Sequence, residues 1–314
     1  MRPEPDAPPM WRTLLRLALG LALFGAVIAV LVDAGGRPQL RVVAWAWGVG
    51  LLGSALANAV TARRWQLLSE AMTAARLPYG AYFHHLAWTR VVGQFLPSLL
   101  VDLVGRSASL RAAGSRESMT RLLVPLVLER ILDLVLPIVL LGWAIAWHVA
   151  QPRDAIAWGS VVVTLAIFGA LAVPLLGPLA RTAMRAYAWL RRRRGGEEVA
   201  VPQIDRALAS RVSALSIARH VFVLVQYWGA GAGLGVALPL LVLVAGAPLA
   251  QLAGLVGITP GALGIQEGGW AGALGLLGVA AADIAVFVLA TRAAMIVNFA
   301  VLAAASWRWH RSRA

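Results

Sequence analysis

Glu129 and Asp133, in the stretch LVLERILDLVLP, stand four positions apart inside an otherwise apolar run, with Arg130 between them. On a helix the two carboxylates share one face and the guanidinium is turned about 100° away. Ionisable groups in such a run face a bundle interior or a wet cavity and meet an opposite charge. Glu129 or Asp133 is therefore expected to pair with an arginine from another segment, either as a structural lock or as part of a binding site. A second cluster lies in GQFLPSLLVDLVGR, which carries Gln94, Pro97, Asp102 and Arg106, with Arg90 just upstream. Asp102 and Arg106 are an i, i+4 pair if that segment is helical. Arg90, Arg106 and Arg130 are the candidate phosphate contacts, because the planar guanidinium fork binds oxyanions through paired donors.

The third cluster is ITPGALGIQEGGW, residues 258–270, where Thr259, Pro260, Gly261, Gly264, Gln266 and Glu267 interrupt an apolar run. Proline removes a backbone donor, the glycines loosen the chain, and the glutamate brings charge to a costly depth. Broken backbone inside a membrane is tolerated where it is buried in protein or lines a cavity, which makes this break a candidate binding surface. The helix start around Gly264 offers amides to an anion unless Glu267 caps them or pairs with an arginine. Arg292 is the expected partner of Glu267, and Arg90 or Arg106 that of Glu129. Asp102, Glu129, Asp133 and Glu267 are read as gating or ion-pair partners.

The elements that must position these residues follow from composition. The 314 residues are 60% hydrophobic and only 13% charged, with mean hydropathy +0.76. This is an all-α, polytopic integral membrane bundle. The net charge of +14 is not a nucleic-acid signal, since the arginines cluster in short gaps between apolar runs, as cytoplasmic loops require. The chain has no cysteine, which excludes disulfides and thiolate metal sites. His84 and His85 are adjacent and lack a third ligand, and no nucleophile or metal motif is present, so no cofactor, metal or catalytic residue is assigned.

Windows of about 20 apolar residues place six spans near 13–32, 41–61, 121–147, 155–177, 219–245 and 281–305. Two further segments, 79–100 and 248–278, read as broken helices. The basic stretch 178–218 and both termini are assigned to the cytoplasm of a bacterial inner membrane, and that parity makes both broken segments re-entrant. The order span, span, re-entrant, span then occurs twice, in inverted halves 13–147 and 155–305 of a single transmembrane domain. No residue-by-residue repeat accompanies it. The breaks at 95–100 and 257–266 are expected to meet near the membrane midplane. Stretches 62–76 and 203–218 mix apolar and charged residues at helical spacing and read as interfacial helices.

Three stretches together, GQFLPSLLVDLVGR, ERILDL and TPGALGIQEGG, followed by Arg292 in the last span, resemble the membrane region of lysylphosphatidylglycerol synthases and its stand-alone, flippase-like relatives. The resemblance covers approximately 40–305. It implies a membrane protein that translocates or handles an anionic or glycosylated lipid, with membrane lipid as its partner. Aminoacyl transfer in that family resides in a separate soluble domain, so this chain is expected not to be an enzyme. The alternative is a non-transporting component that scaffolds or supplies lipid to a separate membrane-associated lipid-modifying enzyme.

Overall fold

Long apolar runs become helices here, and the Pro- and Gly-containing interruptions become the points where the chain turns. The computed structural model describes residues 10–35, 40–193, 204–255 and 259–311. In chain order the helices are α1 (Met10–Gly35), α2 (Ala44–Met72), α3 (Tyr79–Val92), a short α4 (Ser98–Leu100) running through a π-helical turn (Val101–Gly105) into α5 (Arg106–Ala112), α6 (Met119–Ala150), α7 (Asp154–Arg192), α8 (Arg206–Gly233), α9 (Leu240–Leu255), α10 (Ile265–Leu276) and α11 (Ala281–Arg311). Among the described residues there is no strand. Helices α1, α7, α8 and α11 are long and apolar enough to cross a membrane. At 29 and 32 residues α2 and α6 also exceed the needed length, and their charged residues Arg64, Glu129 and Asp133 are buried.

Two broken segments fold as antiparallel hairpins. A Cβ built on Gly105 would lie 3.4 Å from Thr89, and one on Gly93 would lie 4.0 Å from Val101, so α3 and the limb after it run in opposite directions about Pro97. In the second hairpin Gly246 faces Leu274 at 3.4 Å and Gly254 faces Gln266 at 3.7 Å, pairs centred on Pro260. The two pivots touch through an isolated antiparallel bridge between Pro97 and Pro260, with the Gly261 amide donating to the Leu96 carbonyl at 3.4 Å. The expected meeting of the breaks therefore holds at 95–97 and 259–264; residues 98–100 and 265–266 are helical, and 257–258 lie outside the described residues.

Shifting the chain by 163 positions, the separation of the two prolines, superimposes most of its elements. It carries α2 onto 207–235, α3 onto 242–255 and α6 onto 282–313, which are α8, α9 and α11 to within a few residues. Packing follows the same exchange: α3 lies on α11 as α9 lies on α6, and α1 on α11 as α7 on α6. Helices α2 and α8, equivalent under the shift, run antiparallel, with Gly50 against Gly229, Gly53 against Gln226 and Arg64 against Ser216.

Several boundaries differ from the sequence reading. Residues 62–72 are not an interfacial helix but the continuation of α2, and Arg64 and Trp65 are fully buried. Their charge looked interfacial because the carboxylates that compensate it lie 65 and more residues away in sequence. Likewise most of 203–218 belongs to α8, which begins at Arg206 and runs unbroken to Gly233. The span expected at 219–245 is interrupted there, where Gly235 takes φ +99° and Pro239 precedes α9. The hairpins accordingly cover 79–112 and 240–276 rather than 79–100 and 248–278. The basic 178–218 stretch is helical through Arg192 rather than a loop, and 194–203 and the extreme termini lie outside the described residues.

Helices α2 and α8 approach each other closely, and a Cβ on Gly229 would sit 2.3 Å from the Gly50 nitrogen. Gly229→Ala should therefore push the two helices apart and cost about 1–3 kcal/mol. Gly142, which has nothing within 4 Å of its built Cβ, should accept alanine with no loss, since alanine is the better helix former by roughly 0.5–1 kcal/mol. Melting of the two purified variants in detergent measures the contrast.

Candidate functional site

Polar residues of α2, α3, α5, α6 and α8 converge on one buried ion network. Glu129, 2% exposed, accepts two parallel hydrogen bonds from Arg106, at 3.1 and 2.9 Å. Arg64, with no exposure, contacts Glu129 at 3.0 Å and Asp133 at 2.8 Å. Arg219 reaches Asp133 at 3.4 Å, and Asp102 pairs with Arg106 at 3.5 Å and with Arg130. The Arg106 guanidinium also lies over the Trp65 ring, 4.2 Å from its centroid. Five arginines, counting Arg90, thus surround three carboxylates. The expected Glu129–Arg106 and Asp102–Arg106 pairs form, and Arg90 is not the partner of Glu129.

The second hairpin carries a simpler lock. Arg292 of α11 donates from Nε to Glu267 Oε1 at 2.7 Å and makes a second contact through Nη2. The other carboxylate oxygen of Glu267 accepts from the Gly264 amide at 2.7 Å. Glu267 therefore caps its own helix and pairs with an arginine at once, so the α10 start is not open to an outside anion as the sequence left room for. Gly264 has φ +81°, and a Cβ there would fall 2.3 Å from that of Leu23 on α1, so only glycine fits. Gly261 and Ala262 also take positive φ, a concentration of unusual backbone that the Arg292 contacts hold in place. Arg292 Nη1 donates to the Gly261 carbonyl at 3.1 Å and to Gln94 Oε1 at 3.3 Å. One side chain thereby joins both breaks, while the Thr259 hydroxyl ties the turn to the Leu263 carbonyl at 2.9 Å.

The two locks occupy equivalent places with opposite polarity. The 163-residue shift carries Glu129 onto Arg292. In the first half α6 supplies the acid and the hairpin limb the base; in the second, α11 supplies the base and the limb the acid. A residue-by-residue comparison cannot register this, because the paired positions carry opposite charges.

Between the hairpins lies a cavity of about 180 Å³ whose polar lining includes Arg90, Gln94, Asp102, Arg130, Asp133, Arg219, Gln266, Asn58, Gln226, Tyr227 and Gln251, with Val223, Leu255, Met295 and Phe299 among its apolar lining residues. Of the sequence candidates, Arg106, Glu129, Glu267 and Arg292 stand behind this wall, and Thr259, Pro260 and Gly264 shape the turn beside it. Arg64, Arg219, Asn58, Gln226, Tyr227 and Gln251 are absent from the sequence candidates. Arg219 stands at the very start of the span expected at 219–245, next to the basic stretch, where sequence gives it no buried partner. Neither arginine carries a local signal; each is recognisable only once α2 and α8 are known to continue inward.

A family model for the lysylphosphatidylglycerol synthase TM region matches residues 14–305. The chain belongs to that family. No curated protein and no solved structure matches it. The match spans both hairpins and both locks, so in this chain the lysylphosphatidylglycerol synthase TM region is a multi-pass helical membrane unit whose breaks and buried ion pairs form one assembly.

Removing one partner of a buried ion pair leaves the other charge uncompensated, at about 3–5 kcal/mol. Glu129→Gln and Arg292→Gln should each destabilise the purified protein by that order, read as a lowered melting temperature. Arg292→Lys should recover only part of the loss, because a single ammonium cannot reach Glu267, Gly261 and Gln94 together. Full recovery by lysine would show that charge alone, and not the guanidinium fork, holds the two breaks.

Proposed function

We propose that this protein is a flippase-like carrier that binds the anionic headgroup of a membrane lipid between its two hairpins and moves it across the bilayer. The observation that carries the reading is the cavity's charge. Asp102 and Asp133 each already contact two arginines, whereas Arg90 lines the same space and forms no ion pair with any described residue. A cation left unmatched in a low-dielectric setting favours an anionic ligand, and guanidinium suits phosphate. The cavity, at about 180 Å³, is smaller than the roughly 300–1,000 Å³ of pockets that enclose whole ligands. It suits a headgroup whose acyl chains stay outside, along the exposed apolar residues Phe95, Leu99, Leu100 and Val104 of the first hairpin.

The antiparallel relation of α2 and α8 and the exchange of packing partners support two inverted halves, with movement of one hairpin unit against the other around a central site. We further place 178–218 and both termini in the cytoplasm of a bacterial inner membrane, from their arginine clustering. The chain lacks cysteine, so a cysteine at exposed Ser210 would be unique. It should resist an impermeant thiol reagent in intact cells and react after lysis; labelling before lysis reverses the orientation.

Reconstitution into liposomes with fluorescent phosphatidylglycerol tests the carrier reading. The native protein should speed leaflet exchange, and Arg90→Gln should reduce it at least tenfold while the variant melts at the native temperature, because Arg90 has no ion-pair partner to lose. Native protein that binds the lipid without speeding exchange would instead assign it the role of a lipid-supplying component for a separate enzyme.

A further inference from the structure

Most ionisable groups inside the bundle are fixed in their charge. Guanidinium does not release its proton, and Asp102, Glu129, Asp133 and Glu267 are each held by arginine. His220 of α8 is the exception. It is 3% exposed and the only buried histidine among the described residues, and its Nε2 is sealed from solvent without a hydrogen bond. Imidazole is the side chain whose charge ordinarily changes between about pH 5 and 8.

The surroundings of His220 tie it to the cavity. Arg219, the preceding residue, lines the cavity and reaches Asp133 at 3.4 Å. Gln251 of α9 lies against the imidazole. It also lines the cavity, and its Nε2 is likewise buried and unpaired. An imidazole and a carboxamide that leave nitrogens unmatched side by side are costly as mere packing. Protonation gives the ring a second N–H donor, and the Gln251 carbonyl oxygen can accept from it. The other elements packed on α8 offer the ring no free counter-charge. Arg64 on α2 is committed to Glu129 and Asp133, Arg130 on α6 to Asp102, and Arg292 on α11 to Glu267. Helix α9 has no ionisable residue, and α7 has none between Asp154 and Arg181. An imidazolium at this position therefore has the Arg219 guanidinium beside it and depends on the cavity for negative charge.

We propose that His220 is a proton-binding site linked to the anion site of the cavity. The ring is neutral while the cavity is empty and takes up a proton when a bound anion offsets the charge of Arg219. This rests on the anionic-ligand reading above and adds a second, co-bound species to it. Linkage is reciprocal, so proton uptake on binding requires the anion to bind more tightly as pH falls.

The test is calorimetric titration of phosphatidylglycerol into the purified full-length protein in neutral detergent, in two buffers of different ionisation heat, which counts the protons exchanged. The phosphodiester keeps its single negative charge throughout, so a proton taken up belongs to the protein. Binding by the native protein should take up protons and tighten about fivefold or more between about pH 8 and about pH 5.5. His220→Gln should bind without proton uptake, at one affinity across that range and close to the native value at the alkaline end. The combined variant His84→Gln, His85→Gln, His148→Gln and His310→Gln should behave as the native protein, and it keeps the test decisive if His220→Gln does not fold. Native binding without proton uptake, uptake that survives His220→Gln, or uptake lost from the combined variant would each overturn the proton site while the lipid reading stands. Absence of phosphatidylglycerol binding at every pH would overturn both.

Discussion

A guanidinium or carboxylate taken into an apolar bundle must find its counter-charge there, and in this protein that requirement fixes where the helices lie. Glu129 has contacts from Arg64 on α2 and Arg106 on α5, and Asp133 from Arg64 and from Arg219 on α8. No one of these helices can shift along its axis without opening a pair. Such pairs add little net stability compared with apolar packing, but leaving one half-made is expensive. Their effect is to select one arrangement of α2, α5, α6 and α8 from the many that apolar surfaces would allow.

The same constraint explains how two backbone interruptions are tolerated at the centre of the bundle. Proline and positive-φ residues free carbonyls and amides that cannot be left bare in an apolar medium. Pro97 and Pro260 face each other, the Gly261 amide reaches the Leu96 carbonyl, and Arg292 accounts for the Gly261 carbonyl and Gln94. Each break thus supplies part of what the other lacks. The hairpins are consequently joined at their tips while their limbs pack on different helices, α3 on α11 and α9 on α6. The two hairpin tips are therefore held to each other by a contact of a few atoms.

How much of this was legible beforehand depended on whether the signal was local. Pro97, Pro260 and the glycines after it announce their breaks by their own backbone chemistry, and the i, i+4 spacing of Glu129 and Asp133 shows a shared face without any tertiary information. Charge-pairing logic also reached Glu267–Arg292 and Glu129–Arg106, because few buried opposite charges were available to choose from. The same logic misread 62–72 and 203–218. A run containing arginine and apolar residues has one composition whether it lies on a membrane surface or continues inward toward buried acids.

By itself the sequence determined the class of the molecule, the positions of its breaks and most of the charged residues that matter, since hydropathy, proline geometry and helical periodicity act over a few residues. Only the tertiary structure decided that α2 and α8 lie together antiparallel, that Arg64 and Arg219 belong to the ion network, and that Gln226, Gln251 and Gln266 line one cavity. Those facts depend on pairings between residues distant in sequence, 69 positions apart for Arg64 and Asp133, 86 for Arg219 and Asp133 and 179 for Gly50 and Gly229. A neutral glutamine or a buried arginine takes its role from the groups facing it, and the chain's local pattern carries no record of which groups those are.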